Sequence, residues 1–356
     1  MKINRIVACV VLTVSSAVLV SCGSTKSQVI VPPPVTDVYV AGLEISNFNA
    51  LSGTIWKNGA PIAFSATPGI FNAIAVSGND LYAAGTAHAV GAVRDAATYW
   101  KNGVAVALTD GTQVAVVHSI FVSGSDVYVA GGVGGIGPNL AAVYWKNGVK
   151  VPLTDGSEAA DAFSIQAVGS DVYVAGFENK TIMVSPSAST IYAVAKYWKN
   201  GVPVELTDGT KPAAALSMFV SGSDVYVSGF ACSTTDSGCQ QAVYWKNGFP
   251  AALSTTSDTL ATSITVSGSN VYAVGAEVGS GMLFWKNGTT VPLHGSGYTE
   301  ATQVVVSGQD VYVAGVQSQP GGAYQAGYWK NGVPVQLSVD PNTAQSLANS
   351  IVVVTH

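Results

Sequence analysis

Seven copies of one tetrapeptide, seven copies of a second motif alternating with it, and a strand pattern split between the two chain ends predict an all-β fold. The predicted architecture is a seven-bladed β-propeller with four antiparallel strands per blade, closed by a C-terminal strand that joins the three N-terminal ones in a 1+3 arrangement. The tetrapeptide is Trp-Lys-Asn-Gly. It opens at Trp56, Trp100, Trp145, Trp198, Trp245, Trp285 and Trp329, with spacings of 44, 45, 53, 47, 40 and 44 residues. Propeller blades repeat at about 40–50 residues. The second motif is Asp-Val-Tyr-Val-Ala-Gly or a close variant, starting at Asp37, Asp80, Asp126, Asp171, Asp224, Asn270 and Asp310, and the two alternate without a miss.

The repeat from His118 to Leu153 shows how the strands are assigned. His118–Ser123 is apolar and β-branched, Gly124-Ser125 turns the chain, and Asp126–Ala130 returns as a second strand. After a glycine-rich stretch, Ala142–Lys146 forms a third strand. Asn147-Gly148 is a strong hairpin signal because both residues accept positive φ. Val149–Leu153 is the fourth strand, and Thr154-Asp155-Gly156 begins the connection to the next blade. Apolar residues on both faces suit sheets sandwiched between neighbours. At the chain ends, Asp37–Gly42 reads as a second strand with no first strand before it, whereas Asn349–Val354 reads as a first strand with almost nothing after it. Pairing the two closes the ring and excludes an open solenoid, which would need a cap at each end.

Composition agrees. Of 356 residues, 48% are hydrophobic and 10% charged, so much of the chain must be buried. Lys2 and Arg5 precede an apolar run from Ile6 to Val20, the layout of an export leader and too short for a spanning helix. Without that leader, 13 basic residues stand against 20 acidic ones, a balance that argues against nucleic acid as a partner. Leu19-Val20-Ser21-Cys22 resembles the bacterial lipobox, which implies acylation of Cys22 after cleavage. The expected organisation is a leader over 1–21, a lipidated Cys22 with a Pro-containing tether over 22–35, and the propeller over 36–356. It places the domain outside the cytoplasm on a bacterial envelope membrane, the outer membrane in a Gram-negative cell. Two cysteines remain in the folded part, Cys232 and Cys239, and in an exported chain they suggest a disulfide. A zinc site is the alternative, without a His or second Cys pair beside it.

From Val38 to its C-terminus the chain resembles the secreted bacterial β-propeller repeat lipoproteins, an architectural class that includes kelch-like and WD-like rings. Its motifs lack the Trp-Asp ending of WD repeats and the double glycine of kelch repeats. Propellers host hydrolases, lyases, lectins and scaffolds, so the resemblance implies a fold and leaves the chemistry open.

The repeated residues are expected to be structural. Each Trp fits an inter-blade position, where it buries a large area and supplies an indole donor. Lys57, Lys101, Lys146, Lys199, Lys246, Lys286 and Lys330 should form a solvated ring at the blade edges, open to a polyanion as the alternative. Asp126, Asp171, Asp224 and Asp310 sit at hairpin turns, where carboxylates accept backbone N–H bonds. Asp110, Asp155 and Asp208 lie in Leu-Thr-Asp-Gly connections, which read as turns ahead of calcium loops because no dense acidic loop surrounds them. His88, His118, His294 and His356 differ in their place within the repeat and form no metal triad at regular spacing. A serine column, Ser119, Ser164, Ser217, Ser263 and Ser350, recurs on the innermost strands, where small residues fit the crowded axis and hydroxyls could meet a ligand or water. No nucleophile elbow, phosphate loop or isolated carboxylate pair is present, and no cofactor is implied.

What varies between repeats is the connection from second to third strand: Leu43–Leu51, Thr86–Ala96, Gly132–Ala141, Phe177–Ala193, Phe230–Gln241, Ala276–Gly281 and Val316–Gln325. These share one face and hold pattern-breaking residues, Glu44, Phe48, His88, Arg94, Phe177, Glu178, Glu277 and Tyr324, which make them the candidate ligand-binding loops. The favoured reading is a non-enzymatic, lipid-anchored module of monomeric build that engages a protein or glycan through this face. One alternative is a carbohydrate-active enzyme drawing on Glu44, Glu158, Asp161, Glu178, Glu277 and Glu300. The other is a purely structural envelope component.

Overall fold

The computed structural model describes residues 35–48, 50–88, 93–134, 139–185, 188–235, 238–277, 281–293, 298–319, 323–337 and 339–356. Among them are seven four-stranded antiparallel sheets and no helix. The leader and Cys22 lie outside the described residues. Blades are numbered from the one containing Asp37. Its innermost strand is C-terminal, Thr343–Thr355, followed outward by Thr36–Ser46, Leu51–Lys57 and Ala60–Ile62. The closing ladder runs from Thr36 opposite Thr355 to Ser46 opposite Thr343, so the ring closes as the split pattern predicts. The innermost strands of blades 2 to 7 are Gly69–Ser77, Val114–Ser123, Ala160–Val168, Ala213–Ser221, Thr259–Ser267 and Tyr298–Ser307. Each contacts the innermost strands of its two neighbours around the axis.

The interior divides into seven clusters, one at each junction, and each holds one Trp. Trp145 of blade 3 packs on Ala84 and Ala97 of blade 2, and Trp198 of blade 4 on Ala130 and Ala142 of blade 3. At the closure, Trp56 of blade 1 packs on Ala314 and Ala326 of blade 7. At five junctions the Ala of the Val-Tyr-Val-Ala-Gly motif is therefore part of the floor on which the next blade's indole rests; Ser228 holds that position in blade 5 and Val274 in blade 6. All seven indoles are at most 1% exposed. The expected indole hydrogen bond is not general: the N–H groups of Trp100 and Trp145 meet no acceptor among the described residues. Volume selects Trp here strongly enough to offset the roughly 1–3 kcal/mol of an unpaired buried donor.

The two repeated motifs prove to be halves of one contact. The first residue of the second strand lies beside the end of the third, so Asp126 accepts the Lys146 ammonium at 2.9 Å and the Asn147 amide at 2.8 Å. Asn147 Oδ1 in turn accepts the Val127 N–H at 2.8 Å, and Lys146 stands 5.3 Å above the Tyr128 ring. The same set recurs in the other blades, except that Asn270 replaces the acid in blade 6 and Lys286 keeps only its place over Tyr272. Two expectations are corrected here. The motif carboxylates take side-chain donors across the hairpin in place of backbone N–H groups, and the lysines are paired to them, which removes most of a free basic ring. The Asn residues of the turns hold φ between 49° and 52°, the left-handed conformation that an Asn-Gly hairpin requires.

Most second and third strands extend further than their apolar runs suggest. The connection expected over Phe177–Ala193 is a long β-hairpin, with Asp171–Ser185 paired to Ala188–Lys199. Its polar residues Asn179 and Lys180 mask a ladder that continues through Thr181, Ile182, Thr190 and Ile191. Cys232 and Cys239 are joined by a disulfide, with Cα atoms 5.0 Å apart, at the base of the blade 5 connection.

Two outcomes follow from this architecture. Deleting residues 349–356 removes buried Ile351 and the half-buried Val352, Val353 and Val354, together with half of the closing ladder. One fully buried aliphatic side chain contributes about 1.5–3 kcal/mol, against a typical domain stability of about 5–15 kcal/mol. The truncated chain should aggregate or melt far below the full one in a thermal scan, and an unchanged melting temperature would contradict closure. The second outcome concerns acid. Donors hold Asp80, Asp126, Asp171, Asp224 and Asp310 below the usual carboxylate range: Lys101 then Asn102 act on Asp80, and Asn147 then Lys146 on Asp126. A carboxylate depressed in the folded state stabilises above its unfolded pKa of about 3.9 and loses that contribution as pH falls through the folded value. Melting temperature should therefore fall as pH drops below about 4, and converting these five solvent-screened Asp residues to Asn should lessen that fall.

Candidate functional site

The axis is built by a bulge repeated in every blade. At one shared height on each innermost strand a residue is skipped in the ladder to the second strand: Asn349, Asn72, His118, Phe163, Leu216, Thr262 and Thr302 in blades 1 to 7. A β-bulge turns its extra residue out of register and re-aims the side chain. The motif glycine makes room for it. At Gly42, Gly85, Gly131, Gly176, Gly229, Gly275 and Gly315, a Cβ would overlap the carbonyl oxygen two residues before the bulge. The last residue of Val-Tyr-Val-Ala-Gly is thus set by the backbone of the neighbouring strand.

The serine column follows the bulged residues directly, and its work is between blades. Ser350 Oγ accepts the Ile74 N–H at 3.2 Å, Ser119 that of Ile165 at 3.3 Å, Ser164 that of Met218 at 3.2 Å, Ser217 that of Ile264 at 3.4 Å and Ser263 that of Val304 at 3.2 Å. In blade 7 Gln303 stands in the column, and its Oε1 accepts the Ile351 N–H at 2.7 Å and the Ser350 hydroxyl at 2.8 Å. Four bulged side chains add a second ring of ties: Asn72 to Val117 O, Asn349 to Phe71 O, Thr262 to Ala301 O and Thr302 to Ala348 O, at 2.7–2.9 Å.

The remaining three bulged residues, His118, Phe163 and Leu216, are consecutive around the ring and make no such tie. They line an axial cavity of about 440 Å³ together with Glu300 and the serine column. His118 Nε2 lies 2.9 Å from Asp161 Oδ2, and its ring is 4.8 Å from Phe163, which stacks at 5.9 Å on Phe177. Asp161 is buried, and its other oxygen accepts the Ala162 N–H at 2.9 Å. Glu300 and Asp161 both stand two residues before the bulge, on the half of the axis nearer the variable connections. Sequence periodicity did not single out this column, because its identity changes from blade to blade. The available signal was its fixed place immediately before the serine.

The predicted loop residues are distributed around the face and do not converge. Glu44 lies in a separate cleft of about 590 Å³ beside Asp340, where burial pushes its carboxyl up, partly opposed by the Asp340 N–H. Phe48 is 91% exposed. His88 pairs with exposed Asp95 at 3.0 Å, and Arg94 donates its backbone N–H to Gly111 O at 3.1 Å. Glu277 lines a cleft of about 420 Å³ near Leu253, and Tyr324 opens a third strand, partly exposed. Phe177 lies within a strand behind the axial cavity. Glu158 accepts the Thr181 hydroxyl at 2.8 Å. In the blade connections, Asp110, Asp155 and Asp208 accept N–H and O–H from Thr112, Ser157 and Thr210, the turn role expected of them. Among the described residues, no three His, Cys, Asp or Glu side chains are grouped to hold a metal ion.

Glu178 has a structural duty, since its Oε2 takes the ammonium of buried Lys196 at 2.7 Å. Removing one partner of a buried pair leaves an uncompensated charge and costs about 3–5 kcal/mol. Glu178 is partly exposed, so Glu178→Ala should cost about 3 kcal/mol in a denaturant titration, at the low end of that range, while the double variant Glu178→Ala with Lys196→Met recovers most of the loss.

No protein-family model matches the chain, and no curated protein matches it. Among solved structures, the β-propeller domain of the Trilobed protease from Pyrococcus furiosus is similar with a TM-score of 0.53 at 11% sequence identity, covering 86% of this chain and 96% of that one. The computationally designed Ika8 protein matches with a TM-score of 0.41 at 15% identity, covering 82% of this chain and 92% of that one. The Pyrococcus domain has an open velcro topology, whereas Thr343–Thr355 closes the ring here. At this identity the likeness shows the fold alone: the chain is a seven-bladed β-propeller.

Proposed function

We propose that the protein is a non-enzymatic binding module of the bacterial envelope, anchored by lipid on Cys22, that engages a protein partner through its variable face. The observation that carries the reading is the placement of exposed apolar side chains. Phe48, Leu51, Val93, Met183, Ile191 and Tyr324 all stand on the second-to-third-strand connections. Tyr324, Phe48, Leu51 and Val93 belong to blades 7, 1 and 2, which are consecutive around the ring. Of the other exposed large aliphatics and aromatics of the blades, Val104, Val149, Val202, Phe249 and Val333 follow the Asn-Gly turns at equivalent positions and belong to the repeat, and Val168 ends an innermost strand at the same opposite face. Apolar groups that the repeat does not require, gathered along one rim, suit a protein interface with aromatic anchors. The enzyme reading retains one observation: Glu300 lines the axial cavity and Asp161 reaches it through His118. Asp161 is already engaged by His118 and the Ala162 N–H, which fits a positioning role better than that of a second free carboxylate.

The full chain expressed in a Gram-negative host should fractionate with membranes, and Cys22→Ser should release it to the soluble fraction. A photo-crosslinker at position 48 or 324 should capture one discrete envelope partner, and one at position 249 should not. The double variant Phe48→Asp with Tyr324→Ala should weaken that partner's affinity at least about tenfold, as expected for anchor residues. Affinity that survives this change and is lost when the Lys ring is neutralised would assign binding to the opposite face.

A further inference from the structure

We infer that the axial cavity is a binding site for a small organic ammonium compound with an apolar, planar body. The ring order supplies the first part of the argument. In a closed ring of seven, the innermost strand of blade 7 faces those of blades 3 and 4 across the axis. Glu300 therefore stands opposite His118 and Phe163, with Leu216 flanking them on blade 5. Glu300 is exposed and lines the cavity, and its carboxylate has no hydrogen-bond or ion-pair partner among the described residues. No Lys or Arg among the described residues lines the cavity.

The second part is what the fold does not demand. At four junctions the bulged residue ties the next blade's carbonyl, and Thr or Asn suffices for that duty. His118, Phe163 and Leu216 give up the tie on three consecutive blades. They are larger and less polar than the residues they stand beside, and the Asp161 carboxylate and the Phe177 ring hold two of them in place.

Chemistry then selects the ligand class. The unpaired Glu300 carboxylate gives the cavity a cation preference, since the Asp161 carboxylate is already taken up by His118 and the Ala162 N–H. Phe163 and Leu216 on the opposite wall offer an aromatic ring and an aliphatic surface, which favours an apolar body next to the charge. Hydroxyl and amide groups of the serine column and Gln303 rim the space. The volume of about 440 Å³ lies within the range of about 300–1,000 Å³ usual for small-ligand sites.

The test uses 2-phenylethylamine as probe, with 2-phenylethanol and phenylacetate as neutral and anionic counterparts of nearly the same shape. Isothermal titration of the protein at neutral pH should give a Kd for the amine below about 1 mM, with both counterparts at least about tenfold weaker. Glu300→Gln should weaken the amine at least about tenfold, and Phe163→Ser should weaken amine and alcohol alike, while Glu205→Gln, on an outer strand, should change neither. Unaltered melting of the Glu300→Gln protein, whose side chain is exposed, confirms that the loss belongs to the site. No heat at 10-fold higher amine concentration, equal binding of phenylacetate, or full affinity in Glu300→Gln would each overturn the assignment. The wild-type comparison of the three probes decides the charge preference without any variant.

Discussion

The burial of one indole between every pair of adjacent blades is the contact on which the remaining structure depends. A blade alone is a four-stranded sheet with apolar groups on both faces, and it has no second layer of its own to cover them. Its Trp lies on the second and third strands of the preceding blade, and its own second and third strands receive the next Trp. The arrangement is directional, so it is satisfied everywhere only if the last blade meets the first. That meeting is Trp56 against Ala314 and Ala326. The C-terminal strand is needed for the same reason. Without it the innermost position of blade 1 is empty, and the junction holding Trp56 loses Ala348 and Ile351 from its wall.

This dependence explains why the fold was legible in the sequence. Every element that the ring geometry imposes must recur once per blade, and recurrence is what a single sequence displays. The Trp, the Asn-Gly turn and the motif glycine each answer a local demand present seven times: filling a junction, reversing a hairpin, clearing a carbonyl. The motif Asp was legible as structural, but its partner was not. Its donors come from a residue about twenty positions later, and only the antiparallel register of second and third strands brings Lys146 and Asn147 to Asp126. The blade 4 hairpin was missed because Glu178, Asn179 and Lys180 interrupt the apolar run, although backbone pairing continues through them and Glu178 faces the buried Lys196.

The candidate site was less legible for the complementary reason. A position that binds a ligand in a pseudo-symmetric ring must differ among blades, and difference is indistinguishable from drift when only one sequence is read. His118, Phe163 and Leu216 look unrelated along the chain, forty-five or more residues apart. They become neighbours because the bulge occurs at the same height on each innermost strand. The exposed loop residues attracted attention by breaking a pattern, yet Phe177 and Glu178 break it to support strands and a buried cation.

The bulge also separates architecture from chemistry at the axis. Its geometry is fixed by the skipped pairing and by the glycine across the ladder, both backbone features. The inter-blade N–H bonds are carried by the following residue, Ser in five blades and Gln303 in a sixth. Blade 2 shows how much slack remains: Ala73 replaces the serine there, and Asn72 alone ties that junction through Val117. Since the ring tolerates losing either tie, the bulged side chain is free to change without cost to closure. Seven such positions surround one cavity, each independently replaceable, so the shape and charge of the axial surface can vary while the fold that presents it stays fixed.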